Sequence, residues 1–134
     1  MLPAEIEIPS RAHKILIVDD NPAAADTLTE MLGLYGNEVQ AVHNGQAALK
    51  TFEAWQSNVI LLDIGMPGMD SYEVARRVRQ QAAQHEVMLI ALAGWAQSED
   101  KRRAQQVGID IHLSKPVDLV APKNILADIK PAIR

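Results

Sequence analysis

Three aspartates and one lysine in this chain stand at the ends of apolar runs. Asp19 and Asp20 follow Lys14-Ile15-Leu16-Ile17-Val18, Asp63 follows Asn58-Val59-Ile60-Leu61-Leu62, and Lys115 comes just past Ile109-Asp110-Ile111-His112-Leu113. If those runs are strands of one parallel sheet, the four side chains gather at a single sheet edge. Carboxylates crowded together raise one another's pKa and need a cation to stay charged. A divalent metal with a taste for oxygen ligands, Mg2+ before others, meets that need and leaves one aspartate for chemistry.

The elements that must position these residues are legible in the hydropathy. From Lys14 onward, short apolar runs alternate with segments of helical period, the pattern of an α/β fold with a parallel sheet. Strands are expected near 14–19, 38–42, 58–62, 87–92 and 109–113, and helices near 22–35, 45–56, 70–83, 97–107 and 121–130. Ala25, Leu28, Met31, Leu32 and Tyr35 line one face of the first helix, and Pro22 suits its first turn. Asn21 or Asp20 is a candidate cap for that helix, and Asp70 for the third. Residues 1–13, with Pro3 and Pro9, read as an N-terminal tail, and 14–134 as one domain.

Strand composition also orders the sheet. Ile15 to Val18, Val59 to Leu62 and Val87 to Leu92 are continuously apolar, as strands covered on both faces must be. Residues 38–42 and 109–113 alternate apolar and polar, as half-exposed edges do; an alternating fifth strand would point His112 to one face with Asp110. With right-handed crossovers, the order 2-1-3-4-5 satisfies this and puts a topological switch point beyond the first and third strands, where ligands bind. Asp19, Asp20 and Asp63 fall at that point.

Composition removes several function classes. There are no cysteines, which excludes disulfides, zinc-thiolate sites and thiol catalysis. A formal net charge of -4 argues against direct nucleic-acid binding, which wants a basic patch. No apolar stretch approaches a membrane span and the N-terminus has no apolar signal core, so no membrane insertion and a cytoplasmic location are expected.

The strings ILIVDDNP, LLDIGMPGMDSYEVARRVR, ALAGW and HLSKPVD together resemble the receiver domain of bacterial two-component response regulators, the CheY-like family. The resemblance runs from about Lys14 to the last helix and is most specific around Asp63. It implies a flavodoxin-like (βα)5 doubly wound fold in which Asp63 is the phosphoacceptor, Asp19 and Asp20 the acidic metal pair, and Lys115 the cation contacting the phosphoryl group. Gly65 would give its backbone carbonyl to Mg2+, and Lys115-Pro116 would be a candidate cis peptide. A sensor histidine kinase or histidine phosphotransfer protein would be the phosphoryl donor. Such a domain is no enzyme in the usual sense, promoting only its own aspartyl phosphorylation and dephosphorylation.

The chain departs from the family pattern at a switch region comprising Ala93, Gly94, Trp95 and His112. Receivers usually end the fourth strand with a threonine or serine whose hydroxyl follows the phosphoryl group, and Ala93 has no donor to offer. Water or the backbone N–H of Gly94 or Trp95 would have to replace it. Trp95 would cover the site or pack on the following helix; His112, in the place of the aromatic partner, is an exposed edge histidine or a titrating one. Ser71 replaces the glycine common after the third helix's cap, a change that a helix start tolerates. By the family's habit, output and homodimerisation use the face made by the fourth helix, fifth strand and fifth helix. No effector domain follows, so output is expected through a protein partner, unless the chain is part of a longer hybrid kinase or regulator. Ala93 motivates a second reading, a receiver-like adaptor whose switching does not depend on phosphate. A Mg2+-dependent phosphohydrolase fits poorly, since that chemistry wants an acid two residues beyond the nucleophile, where Gly65 stands.

Overall fold

The computed structural model describes residues 13–64, 70–82, 86–94, 98–115, 117 and 120–127. Along the chain these form β1 (Lys14–Val18), α1 (Pro22–Gly33), β2 (Glu38–Val42), α2 (Gly45–Trp55), β3 (Val59–Asp63), α3 (Ser71–Gln81), β4 (Met88–Ala93), α4 (Ser98–Gln106), β5 (Ile111–Ser114) and α5 (Val120–Ala127). All strand pairings are parallel and the order is β2-β1-β3-β4-β5, as the strand compositions imply.

Strand side chains alternate between the two faces of the sheet, and each face has its own core. Ile15, Ile17, Val59, Leu61, Ile90 and Leu92 pack under α1 and α5, against Ala25, Leu28, Leu32 and Leu126. Leu16, Val18, Ile60, Leu62, Leu89 and Ala91 pack on the opposite face with Phe52 of α2, Val74, Ala75 and Val78 of α3, and Ala104 of α4. The central strands have no polar face because helices cover both sides of them.

Most boundaries differ from the sequence expectation by a residue or more, and three of the differences change where a named side chain lies. α1 stops at Gly33, and the chain turns through Gly36 at φ 86°, a conformation that favours glycine. Tyr35 therefore leaves the apolar face of α1; it is exposed, with the Lys123 ammonium 5.1 Å from its ring centre. β5 begins at Ile111, because Ile109 N–H closes back onto Ala104 O and Asp110 N–H donates to Leu89 O. Asp110 thus lies ahead of β5 rather than alternating within it beside His112, and its carboxylate accepts from Leu89 N–H and Arg79. β3 runs one residue further than expected and includes Asp63 itself. Residues 1–12 of the expected tail, and the end of the last expected helix with Pro131, lie outside the described residues.

Candidate functional site

The sheet register lines up the candidate residues. Val18 pairs with Leu62 and Asp63 with Leu92, so Asp19 and Asp63 sit level on adjacent strands. Ala93 pairs with Ser114, which puts Lys115 one step beyond, its N–H bonded to Ala93 O at 2.7 Å. Asp19 and Asp63 keep the parity of Ile17 and Leu61 and so belong to the face covered by α1 and α5.

Local bonds fix each carboxylate. Asp19 N–H donates to Val42 O, its Oδ1 accepts from Asn21 N–H at 2.9 Å, and His43 Nδ1–H donates to its carbonyl at 2.9 Å. Asn21, not Asp20, caps α1: its Oδ1 accepts from Ala23 and Ala24 N–H, ahead of Pro22 at the helix start. That leaves the exposed Asp20 carboxylate uncommitted to capping. Ser71 Oγ, buried at the start of α3, donates to Asp63 O at 2.6 Å, and Asp70 caps that helix through Tyr72 N–H.

Asp19, Asp20 and Asp63 each offer a carboxylate oxygen within 4.8 Å of the others. Lys115 Nζ donates to Asp63 Oδ1 at 2.5 Å. Burial pushes the Asp63 carboxyl above its ordinary pKa; the Lys115 hydrogen bond and charge pull it down, and the neighbouring Asp19 pushes it up again. The net direction is upward, burial outweighing the Lys115 contact. Three carboxylate oxygens gathered this closely are the hard donors that Mg2+ takes, and Asp19, Asp20 and Asp63 would hold such an ion.

Beside the acids opens a cleft of about 730 Å³, walled by Ala24, Leu28 and Met31 of α1 on one side and Leu92 and Val117 on the other. Asp19, Asp20, Asp63 and Lys115 line it together. A buried, partly neutralised carboxylate lining an open cleft can act as a nucleophile toward a group presented from outside. The model for the response regulator receiver domain matches residues 15–129.

The chain belongs to the response regulator receiver domain family.

This receiver is 34% identical over 116 residues to the sensor histidine kinase GacS of Pseudomonas protegens; the match covers 84% of this chain, which spans only 13% of that kinase. Among solved structures it is similar to the chemotaxis protein CheY4 of Vibrio cholerae, with a TM-score of 0.82 at 27% identity over 87% of this chain and 97% of that one. It is also similar to the receiver domain of the sensor histidine kinase PA1611 of Pseudomonas aeruginosa, with a TM-score of 0.76 at 31% identity over 86% and 94% of the two chains. That structure has a magnesium ion coordinated in its active site cleft. The receiver identity and the CheY-like fold thus agree with the topology, and the chain is a signalling domain of the two-component type. Among the described residues, no helix is long and apolar enough to cross a membrane.

The switch region is only partly described. Ala93 is buried at the end of β4, with its carbonyl taken by Lys115 N–H. Gly94 is exposed, and a Cβ placed on it would touch nothing within 4 Å. His112 is half-buried in β5 opposite Ala91, neither the exposed residue nor a fully enclosed one. Gly65, Trp95 and Pro116 lie outside the described residues.

Two residues beside the site escape sequence reasoning. His43 directly follows β2, and once β2 is placed next to β1 it has to fall near Asp19; the strand order was the available signal. Ser71 had no such signal, because a serine after a capping aspartate is ordinary, and its bond to Asp63 O depends on how an intervening turn folds.

Proposed function

We propose that this chain is the phosphoacceptor receiver of a two-component phosphorelay, with Asp63 as the residue that takes the phosphoryl group. The observation that carries the reading is the placement of Asp63: buried in the sheet edge, bonded to Lys115, within ligand distance of Asp19 and Asp20, and open to a cleft. A phosphohistidine of a sensor kinase or phosphotransfer protein enters the cleft. An Asp63 carboxylate oxygen forms a bond to phosphorus in line as the phosphorus–nitrogen bond breaks, and the imidazole leaves. Such transfers are assisted chiefly by positioning and charge neutralisation. Mg2+, when bound by Asp19, Asp20, Asp63 and the carbonyl of Gly65, supplies the positive charge that this acidic cluster otherwise lacks. Lys115 exchanges its Asp63 contact for a phosphoryl oxygen and keeps one positive charge on the other side. The domain, expected at residues 14–134 and taking in His13 through its bonds to Leu126 and Asn58, acts in the cytoplasm through a protein partner, with the face of α4, β5 and α5 as the surface for that partner or for a second copy. Support for a kinase-linked role comes from its similarity to receivers of two sensor histidine kinases.

The test is incubation with acetyl phosphate and Mg2+. One hydroxylamine-sensitive phosphoryl group per chain is expected, absent without the metal; a wild-type chain that stays unmodified contradicts the reading. Ala93 favours one alternative, an adaptor whose surface does not respond to phosphate. If the phosphoryl analogue beryllofluoride binds and leaves the amide spectrum of β4 and β5 unchanged until Ala93→Thr restores a hydroxyl, the adaptor reading gains.

A further inference from the structure

Since Ala93 carries no hydroxyl, β4 lacks the side chain through which the state of Asp63 would ordinarily reach the face of α4 and β5. A second set of contacts joins the same two places. Ser71 Oγ holds Asp63 O at 2.6 Å from a side chain that is itself 3% exposed, so the main chain of the candidate phosphoacceptor is bonded to the first residue of α3. The next contacts leave that same turn. Arg103 of α4 donates to Asp70 Oδ2 at 2.7 Å, and its guanidinium lies 4.2 Å from the centre of the Tyr72 ring. The last turn of α3 holds the far side: Arg79 donates to Gly108 O, to Val87 O and to Asp110 Oδ2, spanning the link between α4 and β5. Gly108 sits at φ +91°, and a Cβ there would come within 2.8 Å of Arg79, so this clasp depends on glycine.

We infer that α3 is the mechanical link between Asp63 and α4 in this chain: Ser71 ties its start to the phosphoacceptor's main chain, and Arg103 and Arg79 tie its two ends to α4 and the approach to β5. The inference rests on Asp63 being the phosphoacceptor. A phosphoryl group on Asp63 enters the cleft but takes Lys115 from its bond with the carboxylate, and the strand end behind that carboxylate is close-packed, so a shift of its main chain is passed on rather than absorbed. The short, buried Ser71 bond hands the displacement to a helix. Arg103 reads it at the surface, through an ion pair and a ring contact that depend on how α3 lies against α4. Coupling of this kind needs an element whose two positions both sites bias, and here that element is α3 as a unit.

The experiment compares the beryllofluoride-induced amide shifts of residues 102–107 and 111–114 in the full chain with those of Ser71→Ala and Arg103→Ala, with Asp63 phosphorylation by acetyl phosphate followed in parallel by intact mass. Wild type is expected to shift at α4 and β5. Arg103→Ala is expected to keep its phosphorylation, and in both variants the α4 shifts at saturating beryllofluoride are expected to shrink about threefold or more. The double variant should lose no more than the larger single loss, as two breaks in one chain of contacts do. Arg103 is more than half exposed, so Arg103→Ala decides the matter even if Ser71→Ala fails to fold. Full-sized α4 shifts in the folded variants overturn the inference, as does a wild type that is phosphorylated without any α4 response. A wild type that is not phosphorylated overturns the functional reading, and this inference with it.

Discussion

At the carboxyl end of the sheet Asp63 is buried with its charge partly answered by Lys115, whereas at the amino end His13 is buried with both ring nitrogens on neutral partners. His13 Nε2–H donates to Leu126 O of α5 at 2.8 Å, and its Nδ1 accepts from Asn58 Nδ2 at 2.9 Å. Lys14 N–H holds Asn58 Oδ1, which fixes the amide orientation and hence the neutral tautomer of the ring. Asn37 completes the arrangement by accepting from His13 N–H and donating to Leu32 O. Burial holds His13 below its ordinary pKa, opposed by the Leu126 carbonyl, and pushes Asp63 above its own. At one end the side chains of His13, Asn37 and Asn58 are tied to protein partners; the other retains acidic oxygens that want a cation. The difference separates polar residues that hold the fold from those kept ready for a ligand.

The strongest break in that comparison is Asp63→Asn. It should abolish hydroxylamine-sensitive phosphorylation altogether while the amide spectrum at the His13 end stays in place. His13→Leu should do the reverse, leaving the phosphorylation rate within about twofold of wild type. Next in size, Asp19→Asn should weaken Mg2+ binding about tenfold or more in a calorimetric titration. At the other end, Asn58→Ala leaves buried partners of His13 and Lys14 unsatisfied and should cost about 1–3 kcal/mol in chemical denaturation, with Mg2+ affinity unchanged.

The two ends also predict opposite pH slopes of stability in the presence of a chelator. The folded pKa of His13 is depressed, so its contribution is full above the unfolded value of 6.5 and is lost as the pH falls through that value toward the folded one. The folded pKa of Asp63 is raised, so its contribution is full below the unfolded value of 3.8 and is lost as the pH rises through the folded one. His13→Leu should remove the first slope and Asp63→Asn the second, as measured by denaturant midpoints across the acidic range. The smallest effect belongs to the surface: Glu73, held down to about 2 by its contacts with Arg76 and Arg77, is partly exposed and pairs with two exposed arginines, and Glu73→Gln should leave the midpoint at neutral pH unchanged within error.

Sequence reasoning reached the strand order because burial writes itself into composition: Ile15 to Val18 and Val59 to Leu62 are apolar on both faces, while Glu38 and Gln40 mark β2 as an edge. It brought Asp19, Asp20, Asp63 and Lys115 together for the same reason, since parallel strands deliver their carboxyl ends to one side. It failed where tertiary partners decide. Asp110 has the alternation of a strand residue, yet Arg79, thirty-one residues away, and Leu89 N–H claim its carboxylate before β5 begins. His13 reads as the end of a tail, and only the approach of α5 and the side chain of Asn58 makes it part of the core. Ser71 looks like any helix start until its hydroxyl meets the Asp63 carbonyl.

The central claim is that Asp63 itself carries the phosphoryl group, and borohydride reduction after acetyl phosphate treatment tests it most directly, because reduction of an aspartyl phosphate leaves homoserine at the modified position. Peptide mapping by mass spectrometry should find homoserine at position 63 when Mg2+ is present and none when it is chelated. Homoserine at Asp19 or Asp20, or a phosphorylated chain without homoserine at 63, would contradict the account.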